Sequence, residues 1–211
     1  MKLYYPYIAY FSELTVIIPI IASIILWKKL DAPLKLLFLY SCTGALFSGI
    51  ELILALMRIR NTMVFHIYTI AEFLILVFIY KLLNKGRTFA WILNAELYGF
   101  LLAWPVLKFT LESFSKYDNY SATFSGVLLM VASLYTLGGV QKYSETTLLH
   151  TSRFWITAGI MIQVTGQILV LATSNGLVQI PVDQFFFVWT FHWVITIIVN
   201  MLFTGAILCR R

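Results

Sequence analysis

Charged side chains are scarce in this chain. Only 11% of its 211 residues are Asp, Glu, Lys or Arg and 61% are hydrophobic, whereas a soluble domain carries about 25% charged residues. The charges fall in short clusters separated by apolar runs of about 20 residues, the length that a helix needs to cross the hydrocarbon core of a membrane. This composition excludes a soluble globular domain. It predicts an all-α, polytopic transmembrane helix bundle.

Seven apolar segments divide the chain, and we expect them to form a single transmembrane domain over residues 1–211. Pro19 removes a backbone donor from the first segment and is expected to bend it just beyond Glu13. The predicted helices cover approximately residues 4–27, 34–57, 62–83, 88–107, 121–140, 152–173 and 184–209.

The distribution of Lys and Arg predicts the orientation of the bundle. Ten of them flank one side of the segments and five flank the other, and the richer side is expected to face the cytoplasm. The N-terminus is therefore predicted outside and the C-terminus inside, in a multi-pass protein of the cell (inner or plasma) membrane. The net charge of +6 arises from these flanks. Because no basic run has interleaved aromatics, we expect membrane lipids and no nucleic acid as partners.

Several other features are missing. The two cysteines, Cys42 and Cys209, offer no disulfide framework. No lysine follows Lys142, so the last helix lacks the residue on which retinal forms its Schiff base. The Asp-Arg-Tyr and Asn-Pro-x-x-Tyr signatures of animal seven-helix receptors are absent. We therefore expect no retinal and no other cofactor.

Ionisable residues at membrane depth are the informative ones, because each is costly unless it is paired or hydrated. Four glutamates and two histidines lie within the predicted segments, and we expect no Lys or Arg at the same depth to neutralise the acids. The glutamates should then be protonated, bind a cation or face a water-filled cavity. These residues are Glu13, Glu51, Glu72, Glu96, His66 and His192.

Helical spacing places other polar residues beside them. Tyr68 lies one turn from Glu72, and Gln163 and Gln167 are a similar pair. His192, Thr196, Asn200 and Thr204 form a stripe on the last segment. Most such residues join helices, and Gln163, Gln167 and Asn200 are expected to do so. The predicted ligand- or ion-binding group consists of Glu13, Glu51, Glu72, Glu96, His66, His192, Tyr68 and Asn200.

Two stretches carry a resemblance. His66-Ile67-Tyr68-Thr69-Ile70-Ala71-Glu72-Phe73 and the stretch from His192 to Asn200 resemble a diffuse group of small, uncharacterised seven-helix membrane proteins of Bacteroidota. Related seven-helix modules are joined to histidine-kinase or transcription-regulator domains. The resemblance implies a sensing role by analogy with them.

Four functional hypotheses remain open. The first is a sensor or receptor-like bundle with a polar pocket in its outer half, read by a cytoplasmic or membrane protein partner or within a homo-oligomer. The second is a proton- or cation-coupled transporter or an oligomeric channel. Polar residues are few in the inner halves, namely Ser23, Cys42, Thr136 and Thr204, which favours a blind pocket.

The third hypothesis is an intramembrane metalloenzyme, for which His66, His192 and Glu72 are the candidate ligands. No spacing demands such a site, and no catalytic residue is predicted. The fourth is a membrane scaffold subunit. An enzyme is less favoured than a non-enzymatic role.

Overall fold

A computed structural model describes residues 6–84, 86–143, 148–177 and 181–209. Across these ranges the regular structure is entirely helical. The helices are α1 (Tyr7–Thr15), α2 (Ile17–Leu26), α3 (Ala32–Leu56), α4 (Thr62–Leu83), α5 (Arg87–Thr110), α6 (Tyr120–Tyr143), α7 (Ser152–Leu171), α8 (Ser174–Leu177) and α9 (Val182–Leu208), with 3-10 turns at Trp27–Lys29 and Leu148–His150.

Seven helical segments in the described ranges are long and apolar enough to cross a membrane, which is the architecture of a multi-pass membrane protein. The predicted count of seven is confirmed. The predicted boundaries agree to within three residues wherever they fall among described residues. The N-terminal end of the bundle carries the start of α1 and the connections 57–61 and 111–119. The C-terminal end carries the end of α9.

The first segment is interrupted as predicted. α1 ends at Thr15 and α2 begins at Ile17, so Val16 is the joint between them. Pro19 has no N–H with which to bond the Thr15 carbonyl, which removes the hydrogen bond that would have carried one helix into the next. Ile20 bonds the carbonyl of Val16 only at 3.4 Å. The joint lies less than one turn beyond Glu13.

The helices pack through small residues and a continuous apolar core. α9 lies against α1, α2 and α7, while α7 also contacts α6 and α3 contacts α4. Two glycines of α7 let α9 approach closely. A Cβ at Gly159 would lie 2.6 Å from the Phe203 ring, and one at Gly166 would overlap Ile195. Close packing of this kind holds membrane helices together, because lipid provides no hydrophobic drive for their association.

An apolar layer crosses the middle of the bundle. Along α4, Phe73, Leu76 and Val77 are fully buried between Glu72 and Tyr80. Phe100 of α5 covers Phe73, with the two ring centroids 4.1 Å apart. Phe203 of α9 packs edge-on against Tyr40, with ring centroids 5.8 Å apart. Because all these groups are apolar or aromatic, they separate the polar groups of the two halves.

The half of the bundle that contains the end of α9, which we call the C-terminal half, is more polar than expected. The hydroxyls of Tyr80 and Ser133 lie 2.5 Å apart. The Asn84 amide donates to Thr136 at 2.9 Å, and the Arg153 guanidinium donates to Asn84. The expectation that this half offers few polar contacts is therefore wrong. Asn84 and Arg153 lie at the ends of their predicted segments, where a polar residue is expected to face the membrane surface.

Candidate functional site

Glu72 is buried at the centre of a hydrogen-bonded group in the N-terminal half. Its Oε1 accepts the Tyr40 hydroxyl of α3 at 2.8 Å and the Tyr68 hydroxyl, one turn away on α4, at 3.4 Å. The Gln167 amide of α7 donates to both carboxylate oxygens, at 3.1 and 3.3 Å. Gln163 is also within hydrogen-bonding reach. Three helices thus meet at one carboxyl group, and all the donors are neutral.

Two more glutamates lie close by. Glu13 of α1 is within hydrogen-bonding reach of Ser48 on α3, and it lies near enough to interact electrostatically with Glu51, one turn further along α3. Tyr68 is near enough to sense both Glu51 and Glu72. We call Glu13, Glu51 and Glu72 the carboxylate group. It is built by α1, α3 and α4, three helices whose approach no local sequence pattern reveals.

The carboxylate group lacks a positive partner. Within the described parts of the chain, none of its three members forms an ion pair. Removing an unpaired carboxylate from water is far more costly than removing a neutral carboxylic acid. Glu72 is buried, whereas Glu13 and Glu51 are half-buried, so the group suits bound protons, a shared cation or contact with water. These are the three states that the sequence leaves open.

A second buried group surrounds Lys108, near the end of α5. The Lys108 side chain is 1% exposed. Its ammonium donates to His66 Nδ1 at 2.6 Å, to Asp118 Oδ1 at 2.9 Å and to Glu112 Oε2. We call Lys108, His66, Glu112 and Asp118 the lysine-centred group. Lys108 is thus buried although the sequence counts it among the flanking charges, because the 111–119 connection folds back over the end of α5. It pairs with Glu112 and Asp118 and with none of the four glutamates predicted within the membrane.

Glu112 also caps the N-terminus of α6. Its Oε1 accepts the backbone N–H groups of Tyr120 and Ser121, and its Oε2 accepts the Ser121 hydroxyl. A carboxylate at this position satisfies donors that the first helical turn leaves free. Burial alone would raise the pKa of Glu112. The hydrogen bonds from Lys108 and Ser121 outweigh it, so that the pKa lies below its ordinary value.

Further hydrogen bonds fasten the 111–119 connection across the bundle. The Thr62 hydroxyl donates to the Phe114 carbonyl at 2.8 Å, and His66 Nε2 donates to the Lys116 carbonyl at 3.1 Å. Asn175 exchanges two hydrogen bonds with the Tyr117 backbone, at 2.9 and 3.1 Å. The connection is therefore an ordered cover over this end of the bundle.

Tyr117 links this cover to the carboxylate group. Burial raises the pKa of Tyr117, and the nearby Glu51 adds to the rise. Its ring packs against Phe65 and Trp189, with centroids 5.6 and 6.1 Å away. Tyr117 also lines a cleft of about 600 Å³ that opens beside Arg60 and Lys116. Tyr117 therefore both lines the cleft and lies near Glu51 of the carboxylate group.

The structure does not form the metal set expected from the sequence. His66 belongs to the lysine-centred group and Glu72 to the carboxylate group, while His192 packs its ring against Trp189 with centroids 5.5 Å apart. In the described ranges, the only side chains grouped closely enough to share an ion are His66, Glu112 and Asp118. Since the Lys108 ammonium already contacts all three of them, we assign no metal site there.

Four of the eight predicted residues lie apart from the carboxylate group, His66 among them. Asn200 donates to the Thr15 hydroxyl at 2.8 Å, joining α9 to α1 as an interhelical contact. Glu96 is buried on α5, and its Oε2 has no hydrogen-bond partner among described residues. His192 is likewise left without a partner at Nδ1. The predicted eight residues therefore contribute Glu13, Glu51, Glu72 and Tyr68 to one group.

Sequence reasoning missed Lys108, Glu112 and Asp118. One signal was available, since Lys108 and Glu112 are four residues apart and such pairs face each other on a helix. All three residues fall between the predicted segments 88–107 and 121–140, in what the sequence indicates is a polar connection. Comparison of the chain with protein families, with curated proteins and with solved structures finds no match.

Proposed function

We propose that the protein is a receptor-like membrane sensor whose carboxylate group takes up a proton or a small cation. One observation carries this proposal: the buried Glu72 meets only neutral hydrogen-bond donors, and the half-buried Glu13 and Glu51 lie near it without a cationic partner among the described residues. Their occupancy would change the forces between α1, α3, α4 and α7. A two-state packing change of this kind is how charge changes in other sensors are transmitted.

The apolar layer supports sensing over transport. Phe73, Leu76 and Val77 follow Glu72 along α4 and are fully buried, so a proton or ion would find no polar group there. A pocket closed on one side suits a sensor. The N-terminal end is proposed to face outward and the C-terminal end to face the cytoplasm, in the cell membrane of a bacterium. A cytoplasmic or membrane protein partner, or a second copy of the chain, would read the change.

Infrared difference spectroscopy on purified protein in lipid nanodiscs tests the proposal. The carboxyl C=O band reports protonated glutamates, and it should decrease on raising the pH or on adding Na⁺ or Ca²⁺ if either cation replaces the protons. Glu72→Gln and Glu51→Gln should each remove part of the response. Glu96→Gln is the matched control, since Glu96 is a buried glutamate outside the group. A response lost only in Glu96→Gln would contradict the proposal.

Transport is the second candidate, and one observation favours it. The C-terminal half carries its own polar chain, from Tyr80 and Ser133 to Asn84 and Arg153. An opening of the apolar layer would connect this chain to Glu72. Proteoliposomes with a pH-sensitive dye inside provide the test. Proton or Na⁺ flux that disappears in Glu72→Gln and persists in Glu96→Gln would establish transport, and absence of flux would leave the sensor.

A further inference from the structure

The lysine-centred group carries one unbalanced negative charge. Glu112 and Asp118 contribute two negative charges and Lys108 one positive charge. His66 is neutral in this arrangement, because its Nε2 donates to the Lys116 carbonyl and its Nδ1 faces the Lys108 ammonium at 2.6 Å. Nδ1 must then be the acceptor. The side chains of all four residues are at most 3% exposed, so the uncompensated charge is costly.

The positions of His66 and Asp118 also permit a second hydrogen-bonding arrangement. Asp118 Oδ2 is buried, has no partner among the described residues and lies 3.7 Å from His66 Nδ1. If Nδ1 gains a proton, it can no longer accept from Lys108, and the two cations repel each other. The new Nδ1–H then finds its acceptor in Asp118 Oδ2. The net charge of the group becomes zero.

We propose that these four residues form a proton-operated latch on the 111–119 connection. With His66 neutral, Lys108 holds His66, Glu112 and Asp118 together. Uptake of one proton by His66 replaces the Lys108–His66 bond with a bond from His66 to Asp118, so the connection gains an ion pair to α4 and keeps its bonds to Lys108 on α5. The protonated state therefore holds the connection, and with it Tyr117 beside Glu51, more tightly. The latch stands independently of what the carboxylate group binds.

The charged groups that face His66 come from α5 and from the 111–119 connection. Lys108 faces it from α5, and Glu112 and Asp118 face it from the connection. Lys116 contributes its backbone carbonyl, and the Phe114 ring packs edge-on at 5.1 Å between centroids. On α4 itself, the Thr62 and Thr69 hydroxyls bond backbone carbonyls. Glu51 lies close to Tyr117 and Tyr68, and Glu72 lies close to Tyr68. These two glutamates therefore interact with tyrosines and do not face His66.

Two measurements on the full chain test the latch. Nitrogen-15 NMR of labelled histidine reports the His66 tautomer, assigned by comparison with His66→Gln. A spin label at Ser115→Cys, in a Cys42→Ser/Cys209→Ser background, reports the mobility of the connection. The expected result is an Nε2–H tautomer at neutral pH and a fall in label mobility at the pH where His66 takes up its proton. A label at Thr88→Cys, near the opposite end, should not respond.

Variants separate the latch from general acid unfolding. His66→Gln should abolish the transition. Asp118→Asn should move its midpoint down, and Lys108→Met should move it up, each by about one pH unit or more, because each removes a charge near His66. Glu72→Gln should leave the midpoint unchanged, which separates the latch from the carboxylate group.

The latch is refuted if the mobility transition survives in His66→Gln. It is equally refuted if His66 is not protonated down to pH 4, or if it is protonated without any change at Ser115. Where Lys108→Met does not fold, the wild-type and Asp118→Asn measurements decide.

Discussion

Two buried polar groups occupy the same half of the bundle and differ in their charge. The carboxylate group has three acids and neutral donors such as Tyr40 and Gln167. The lysine-centred group contains its own cation, held by two carboxylates and an imidazole. A group without a counter-charge must obtain one from outside, whereas a group with an internal cation is an ion-paired fastening. The first is therefore suited to binding and the second to holding a connection in place.

The largest expected effect comes from removing the internal cation. Lys108→Met leaves Glu112 and Asp118 buried without their partner, which should lower the free energy of unfolding by about 3–5 kcal/mol. Denaturation in mixed detergent micelles measures it. Lys116→Met is the matched control, because this lysine lies on the same connection with an exposed side chain. Similar stabilities of the two variants would contradict the ion-paired role of Lys108.

Glu112→Gln should have the next largest effect and a defined pH dependence. The pKa of Glu112 is lowered in the folded protein. Its contribution is therefore complete above the unfolded pKa of about 4.3 and is lost as the pH falls through the folded value. At pH 7 the substitution should cost about 1.5–3 kcal/mol, since hydrogen bonds to a charged group are lost. Unfolding curves between pH 7 and pH 3 check this, and a cost that stays constant in acid would contradict it.

Tyr40→Phe should have a smaller effect. It removes the 2.8 Å hydrogen bond from α3 to Glu72, and interhelical hydrogen bonds in membranes contribute about 0.6 kcal/mol on average. Tyr135→Phe is the control, because the Tyr135 ring is exposed and stacks on Phe89. A loss above about 2 kcal/mol, typical of a bond to an ionised acceptor, would indicate that Glu72 is charged.

Glu72→Gln should have the smallest effect, below about 0.5 kcal/mol. A neutral amide replaces a carboxyl group that is itself neutral when protonated, and its oxygen can still accept from Tyr40. The same exchange at Glu112 should be several times more costly, since Glu112 is paired with Lys108. Measuring both glutamine variants under identical conditions therefore tests the comparison directly. Equal costs would show that the two groups do not differ in charge.

Much of the fold follows from the sequence. The predicted limits of the third segment, 62–83, coincide with α4, because apolar run length and helix length are tied by membrane thickness. The break beside Pro19 is equally local. The Tyr68–Glu72 contact follows from a helical spacing of four residues. The free state of Cys42 and Cys209 also agrees with expectation.

The candidate site was predicted only in part. Glu13, Glu51 and Glu72 are predicted within the membrane segments, and their interactions with Ser48, with Tyr68 and with one another place them near each other. His66 is predicted from the sequence to belong to the same site, yet it hydrogen-bonds Lys108 instead. Asn200 stands in a polar stripe with His192, yet it bonds Thr15. Helical periodicity gives the face of a residue on its own helix, and it does not say which neighbouring helix that face meets.

What the sequence determined by itself was the number of helices and the positions of the glutamates within them, because hydropathy and helical spacing are local properties. What only the tertiary structure decided was the pairing of charges. Lys108 was counted as a boundary charge, and its burial depends on the 111–119 connection folding back so that Glu112 and Asp118 reach it. The folded connection thereby brings Glu112 and Asp118 together with Lys108 and with His66, which lies 42 positions before Lys108 in the sequence. It is set by the balance of desolvation and ion pairing across several elements.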